Sequence, residues 1–373
     1  MYDRKWPSKC PGINFCTSTC DGISKYSTTD NIFLFAVNNT NERDITEILS
    51  NEFNINPRRN FKIKLFKKYI SRTKFILYLN FMKGFIKLNR SKKIDVIITR
   101  NTKLLPFLFL LKKLYNIKIV FETHHIYAAP HLREKKNRKK EVKIQKKILP
   151  KIDGIICLHN PQKEILKQNI SQKNYLIARP GIYSKKKNNN WNKKYIGYVG
   201  SLSKNKGVEE IFYAYSKIKN NSIKLLIVGG KKNNLKKCHR LVEKLGISDS
   251  VKFTGWVNQK KLDYYLSQIK IGIVPAIDNF YNNYVSSPVK IFDYFSYSIP
   301  VIGSDIKSIR DIVTNDCGLF YKKGKTGELT NQMDRLNKDR NLYNELKNNI
   351  QKRQNDLLWE KRGKKIINFL EKI

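Results

Sequence analysis

The chain has 373 residues, of which 40% are hydrophobic and 18 are glycine, a composition that excludes wholesale disorder and allows two or three domains. Lysine and arginine number 74 against 30 acidic residues. The resulting formal charge of +44 points to a polyanionic partner without choosing among nucleic acid, anionic lipid and phosphorylated substrates, and 58 of the 74 cations are lysine, a bias that an A/T-rich coding sequence also produces.

Along the chain the longest apolar run, residues 104–111, is far short of the ~20 residues that span a bilayer, so no transmembrane helix is expected. The opening MYDRKW lacks the apolar core of a secretory signal, which predicts a cytoplasmic protein. Cys10, Cys16 and Cys20 do not have zinc-ligand spacing and no histidine lies near them, so no metal site is expected.

Residues 1–24 contain Cys, Pro and Gly and offer no apolar strand, so the first sheet is expected to lack its first strand or to be built with one fewer. From there a short β-branched or aromatic run, a turn and an amphipathic helical segment repeat. Strands are predicted at 32–37, 96–99, 117–121, 154–158 and 175–178, with helical stretches between them. The polar segment KKKNNNWNKK (185–194) reads as an interdomain linker, after which strands restart at 195–199, 224–228, 251–253, 271–274 and 300–302. Each half is then a doubly wound parallel α/β sheet, and two Rossmann-like domains facing a cleft are expected, spanning 1–184 and 185–355.

Two segments suit a phosphorylated ligand. In YIGYVGSLSKNKGVE (195–209) a strand runs into a Gly-Ser turn at Gly200 and Ser201, with Lys206 close to a helix start, so free amides and a cation converge where a diphosphate fits. It is not a P-loop, because G-x4-G-K-[ST] is absent. In SSPVKIFDYF (286–295) Ser287, Pro288 and Val289 open a predicted helix, and Asp293, two turns in, is placed to accept hydrogen bonds from ribose hydroxyls. The strand–loop–helix–strand order puts this helix start at the carboxyl edge of a parallel sheet.

Residues 195–310 resemble the donor domain of the retaining glycosyltransferases of family 4, the glycosyl transferases group 1 domain, whose fold is GT-B. The match rests on YIGYVGSLSKNKGVEEI, LLIVGG, VKFTGWV, IGIVPA and SSPVKIFDYFSYSIPVIGSD in the family's order and spacing. DVIITRN, IVFETHH, KIDGIICLHN and ARPGI in the first half fall where the family has comparable pieces, and LLWEKRGKKIINFLEKI resembles its final helix, which implies that 356–373 returns to the N-terminal domain.

The resemblance implies transfer of a sugar from a nucleoside diphosphate sugar, UDP- or GDP-linked, to a hydroxyl of a cell-surface glycan or lipid-linked acceptor, with retention and with no cofactor or metal. Lys206 would stabilise the leaving diphosphate, with Gly200, Ser201 and the amides of Ser287, Pro288 and Val289 around it. Asp293 would take the ribose in place of the second Glu of the family's E-x7-E motif, and Trp256 and Val257 would line the base pocket. From the N-terminal domain His124, with neighbouring His125 as the alternative, would touch the transferred sugar, and Arg100 and His125 would lie on the acceptor side. Three departures stand out: Ser201 replaces an Arg, Val285 replaces the first Glu, and Asp293 is a shortened Glu. Lys290 would then supply charge in place of the missing Glu.

Two basic stretches, 58–74 and 133–147, lie in the acceptor half. The first interleaves Phe61, Leu65, Phe66, Tyr69 and Ile70 with lysine, so a helix there would carry an apolar stripe flanked by cations and meet an anionic membrane peripherally, or pack on the protein's own core. Two other classes fit the charge or the departures: a nucleic-acid-binding protein, for which no reading module is found, and a catalytically silent GT-B partner.

Overall fold

The structure, a computed structural model, describes residues 1–8, 10–27, 29–41, 43–67, 75–129, 138–183, 191–218 and 223–373. It divides into two compact units, Met1–Pro180 with Trp359–Ile373, and Gly181–Leu358.

The first unit contains a three-stranded sheet of order β1-β2-β3, formed by β1 (Lys5–Trp6), β2 (Ile32–Asn38) and β3 (Phe61–Phe66), and a four-stranded sheet of order β4-β5-β6-β7, formed by β4 (Val96–Thr99), β5 (Lys118–Glu122), β6 (Gly154–Cys157) and β7 (Tyr175–Ile177). All pairings are parallel. Met1 and Tyr2 bond to both sheets: Thr99 Oγ1 donates to Met1 O (3.1 Å) and the Tyr2 amide donates to Phe35 O (3.0 Å). The opening segment, expected to hold no strand, therefore supplies one. At two residues, one exposed and one buried, it is too short to show a pattern.

The segment expected to form a basic amphipathic helix is instead β3 over most of its described length. Phe61 and Ile63 point inward while Lys62 and Lys64 are exposed, the period-two alternation of a half-buried strand. Residues 68–74 of that stretch lie outside the described residues, as do 133–137 of the second stretch, whose remainder forms the helix Lys139–Ile148. Residues 185–190 of the expected linker also lie outside them.

Helix Pro11–Tyr26 packs against helix Trp359–Lys372 at a glycine pair. A Cβ on Gly22 would sit 2.2 Å from Trp359 O, and one on Gly363 would sit 2.3 Å from Gly22 O, so the two backbones touch where no side chain fits.

The second unit is a six-stranded parallel sheet of order β10-β9-β8-β11-β12-β13, with β8 (Tyr195–Val199), β9 (Lys224–Val228), β10 (Val251–Gly255), β11 (Ile269–Val274), β12 (Val301–Ser304) and β13 (Gly318–Tyr321). β13 is not among the predicted strands. Strand order reverses between β8 and β11, which makes their carboxyl ends the topological switch point where ligands bind in open α/β sheets. The two faces bury separate cores, one around Tyr198, Phe212 and Tyr343 and the other around Phe292, Tyr294 and Phe295. Tyr294 locks its helix to that switch point: its hydroxyl accepts from the Val199 amide (3.0 Å) and donates to Gly197 O (3.0 Å), and Gly272 leaves room for its ring.

Candidate active site

At the end of β8 the chain turns through Gly200, at φ +138°, into a region that disfavours side chains. A Cβ there would also lie 3.2 Å from Lys290 Nζ. The following turn, Lys204–Lys206, closes on Gly207 at φ +65°, which leads into helix Glu209–Tyr215. Beyond β11, Ser286, Ser287 and Pro288 lead into helix Val289–Ser296, whose start has no side-chain cap; the Ile291 amide bonds to Pro288 O (3.1 Å), which leaves the Val289 and Lys290 amides available.

These segments meet at an open pocket whose lining includes Lys206, Ala276, Ser286, Pro288, Lys290 and Ser308. Two polar groups of the segment that opens helix Val289–Ser296 lack partners among the described residues. Lys290 Nζ is fully buried with no hydrogen-bond acceptor and rests 3.7 Å from the centre of the Tyr198 ring; Ser287 Oγ is likewise buried and unbonded. Burial pushes the Lys290 ammonium well below the usual lysine range, with nearby Lys206 adding to the effect and Asp293 opposing it. Burial lowers Lys206 as well. Two lysine side chains and the first helix amides converge here, and an anionic group would give them hydrogen-bond acceptors and favour their charged forms.

Asp293, on the same helix, is pushed up to about 7 by burial and by Asp263, with Lys290 opposing. Of the residues expected from sequence, Lys206, Pro288 and Lys290 line the pocket and Gly200 abuts Lys290. Ser201 is exposed, and its carbonyl accepts from the Tyr198 hydroxyl (2.7 Å). Trp256 and Val257 follow β10, two strands from β8, and do not line the pocket; Trp256 is exposed and Val257 packs on the apolar core. Val289 is exposed, and Val285, at the departed Glu position, is buried.

In the first unit, Arg100 follows β4, and Glu122 ends β5 just before His124 and His125. Glu122 is buried between Arg100, whose Nε lies 3.6 Å away, and Arg362 from the last helix. Arg100 Nη2 also reaches His124 Nδ1 at 3.4 Å. A guanidinium can only donate, so Nδ1 accepts and the imidazole proton resides on Nε2. Burial, Arg100 and His125 push His124 down to about 3, and burial, Arg138 and Arg100 lower His125, so both rings are neutral at pH 7. Their rings lie 4.5 Å apart. Sequence reasoning did not single out Asp263, Glu122 or Arg362, because their proximity to site residues arises only on folding.

Residues 182–353 match the sequence model of the family described as Glycosyl transferases group 1, and residues 46–182 match that of Glycosyltransferase Family 4. The chain belongs to this glycosyltransferase family. Among solved structures, this glycosyltransferase is similar to sucrose-phosphate synthase from Thermosynechococcus elongatus (17% identity, TM-score 0.75, covering 99% of this chain and 94% of that one). It is also similar to HepE of Anabaena in complex with UDP-glucose (14%, TM-score 0.74, 100% and 99%) and to the lipopolysaccharide outer core galactosyltransferase WaaB in its apo form (14%, TM-score 0.69, 100% and 98%). The glycosyltransferase therefore has the GT-B fold. No curated protein matches its sequence significantly.

Proposed function

We propose that the protein transfers a hexose from a UDP- or GDP-linked sugar to a hydroxyl of a cell-surface glycan or lipid-linked acceptor, with retention of anomeric configuration. The observation that carries this reading is the buried Lys290 Nζ, without a hydrogen-bond acceptor among the described residues, beside Lys206 at the switch point of the second unit's sheet. A sugar diphosphate supplies the acceptor oxygens that this group lacks.

In this reading Lys206, Lys290 and the first amides of helix Val289–Ser296 hold the diphosphate and stabilise the charge that develops on it as the glycosidic bond breaks. Asp293 takes the ribose hydroxyls, and Trp256 with Val257 takes the base. His124, neutral and carrying its proton on Nε2, is a hydrogen-bond donor for the transferred sugar rather than a cationic acid. Positioning and diphosphate stabilisation are then the protein's main contributions to rate. HepE, with UDP-glucose bound, and WaaB, a lipopolysaccharide galactosyltransferase, support the donor and acceptor classes.

Thermal-shift screening against UDP, GDP, ADP and CMP and their common sugar conjugates tests the reading. Selective stabilisation by one nucleotide, lost in Lys206→Ala and Asp293→Ala, is expected. The absence of any shift in folded protein would reject it in favour of a catalytically silent GT-B chain.

A further inference from the structure

Helices Phe75–Ser91 and Leu105–Leu114 of the first unit meet where Phe107 packs against Phe75 (ring centroids 5.7 Å) and Tyr78 (5.5 Å). Around that contact, Phe75, Ile76 and Leu79 on the first helix and Leu110 and Leu114 on the second face solvent; Phe75 is 55% and Leu114 is 65% exposed. They account for five of the eleven large exposed hydrophobics among the described residues. Single exposed leucines need no explanation, but a cluster drawn from two touching helices does.

On the two helices themselves the charge has one sign, and the nearest acids, Asp3 at the Tyr78 hydroxyl and Asp153 at Lys112, are both paired. Lys83, Lys87, Arg90 and Lys113 on these helices are exposed, and neither helix contains an aspartate or glutamate. A second copy of the chain would bring the same cations and the same +44 charge to such a face, so self-association there is opposed by repulsion. A surface with an apolar interior and anionic headgroups complements both features.

We propose that this two-helix face docks the enzyme on an anionic lipid bilayer, with the five apolar side chains entering the headgroup boundary and the lysines and arginine pairing with lipid phosphates. No helix among the described residues is long and apolar enough to cross a membrane, so this is contact from one side. The inference moves membrane contact away from the segment now seen as β3 and deepens the acceptor side of the proposed function, on which its biological meaning rests.

The test is co-sedimentation with vesicles of phosphatidylcholine containing about 30% phosphatidylglycerol, and with phosphatidylcholine alone, at about 0.15 M salt. Wild type is expected to partition onto the anionic vesicles. The variant Phe75→Ser/Leu79→Ser/Leu110→Ser/Leu114→Ser is expected to bind at least tenfold less, and Leu114→Glu alone severalfold less. Phe75 also packs on Phe107 and Leu79 is only 37% exposed, so the four-site variant should melt somewhat lower, whereas Leu114→Glu, at a side chain 65% exposed, should leave the melting temperature unchanged. A control with Lys236→Glu/Lys237→Glu, on a helix of the second unit, should retain most of the binding. Equal partition of the wild type and the four-site variant would overturn the proposal. So would a wild-type dimer, absent from the variant, in protein that ignores vesicles, because the face would then belong to a second copy. Nucleotide-induced thermal stabilisation measured on the same samples reports on the donor reading separately.

Discussion

Lys290→Met separates the stability of the second unit from its function. Methionine keeps an unbranched chain over the Tyr198 ring but removes an amino group that has no acceptor among the described residues and lies near Lys206. A buried polar group without a partner costs about 1–3 kcal/mol, and losing the ring contact costs about 1 kcal/mol, so a net gain of up to about 2 kcal/mol is expected without ligand. In a unit of about 180 residues that corresponds to a rise of up to about 8 °C in Tm. The same change removes charge-assisted hydrogen bonds to a diphosphate worth about 1.5–3 kcal/mol, which weakens nucleotide binding about 10- to 150-fold. Scanning fluorimetry with and without the stabilising nucleotide reads both effects. A variant that melts lower than wild type and binds the nucleotide equally well would refute the reasoning and make Lys290 a packing residue.

Three further outcomes follow from the geometry. Asp293 has a folded-state pKa near 7, above its unfolded value, so the folded state holds the proton longer and stability should fall by about 2 kcal/mol between pH 5 and 7.5; urea titrations of Asp293→Asn should lack that slope. His124, held down to about 3, should show no imidazole titration between pH 5 and 9 by NMR, and a midpoint near 6.5 would remove the Arg100 contact from the account. Gly363→Ala forces a methyl against Gly22 O and should cost about 1–3 kcal/mol in denaturant midpoint; an unchanged midpoint would mean that the two helices do not pack as described.

The sheet of the second unit was legible because β8, β9 and β11 are apolar runs between turn residues, and Ser286 and Pro288, which open the predicted helix, line the pocket. β13, at four residues, carries too little pattern to separate from a loop. β3 misled because FKIKLF, followed by further lysines and aromatics, fits a helical stripe as well as an alternating strand, and only pairing with β2 decides between them. The type of residue at Lys290 was visible in the sequence, but its lack of a partner was not, since burial and hydrogen bonding are products of the fold. Nothing in the sequence sets Glu122 and Arg362 apart, yet they form a buried ion pair across 240 positions of chain.

The most direct measurement is NMR observation of the nucleotide sugar that stabilises the protein most, incubated with enzyme and the anomer of the released sugar recorded before mutarotation. Slow donor consumption that yields the anomer present in the donor, abolished by Lys206→Ala, is expected. Release of the opposite anomer, or no consumption of any donor by protein that binds it, would contradict the account.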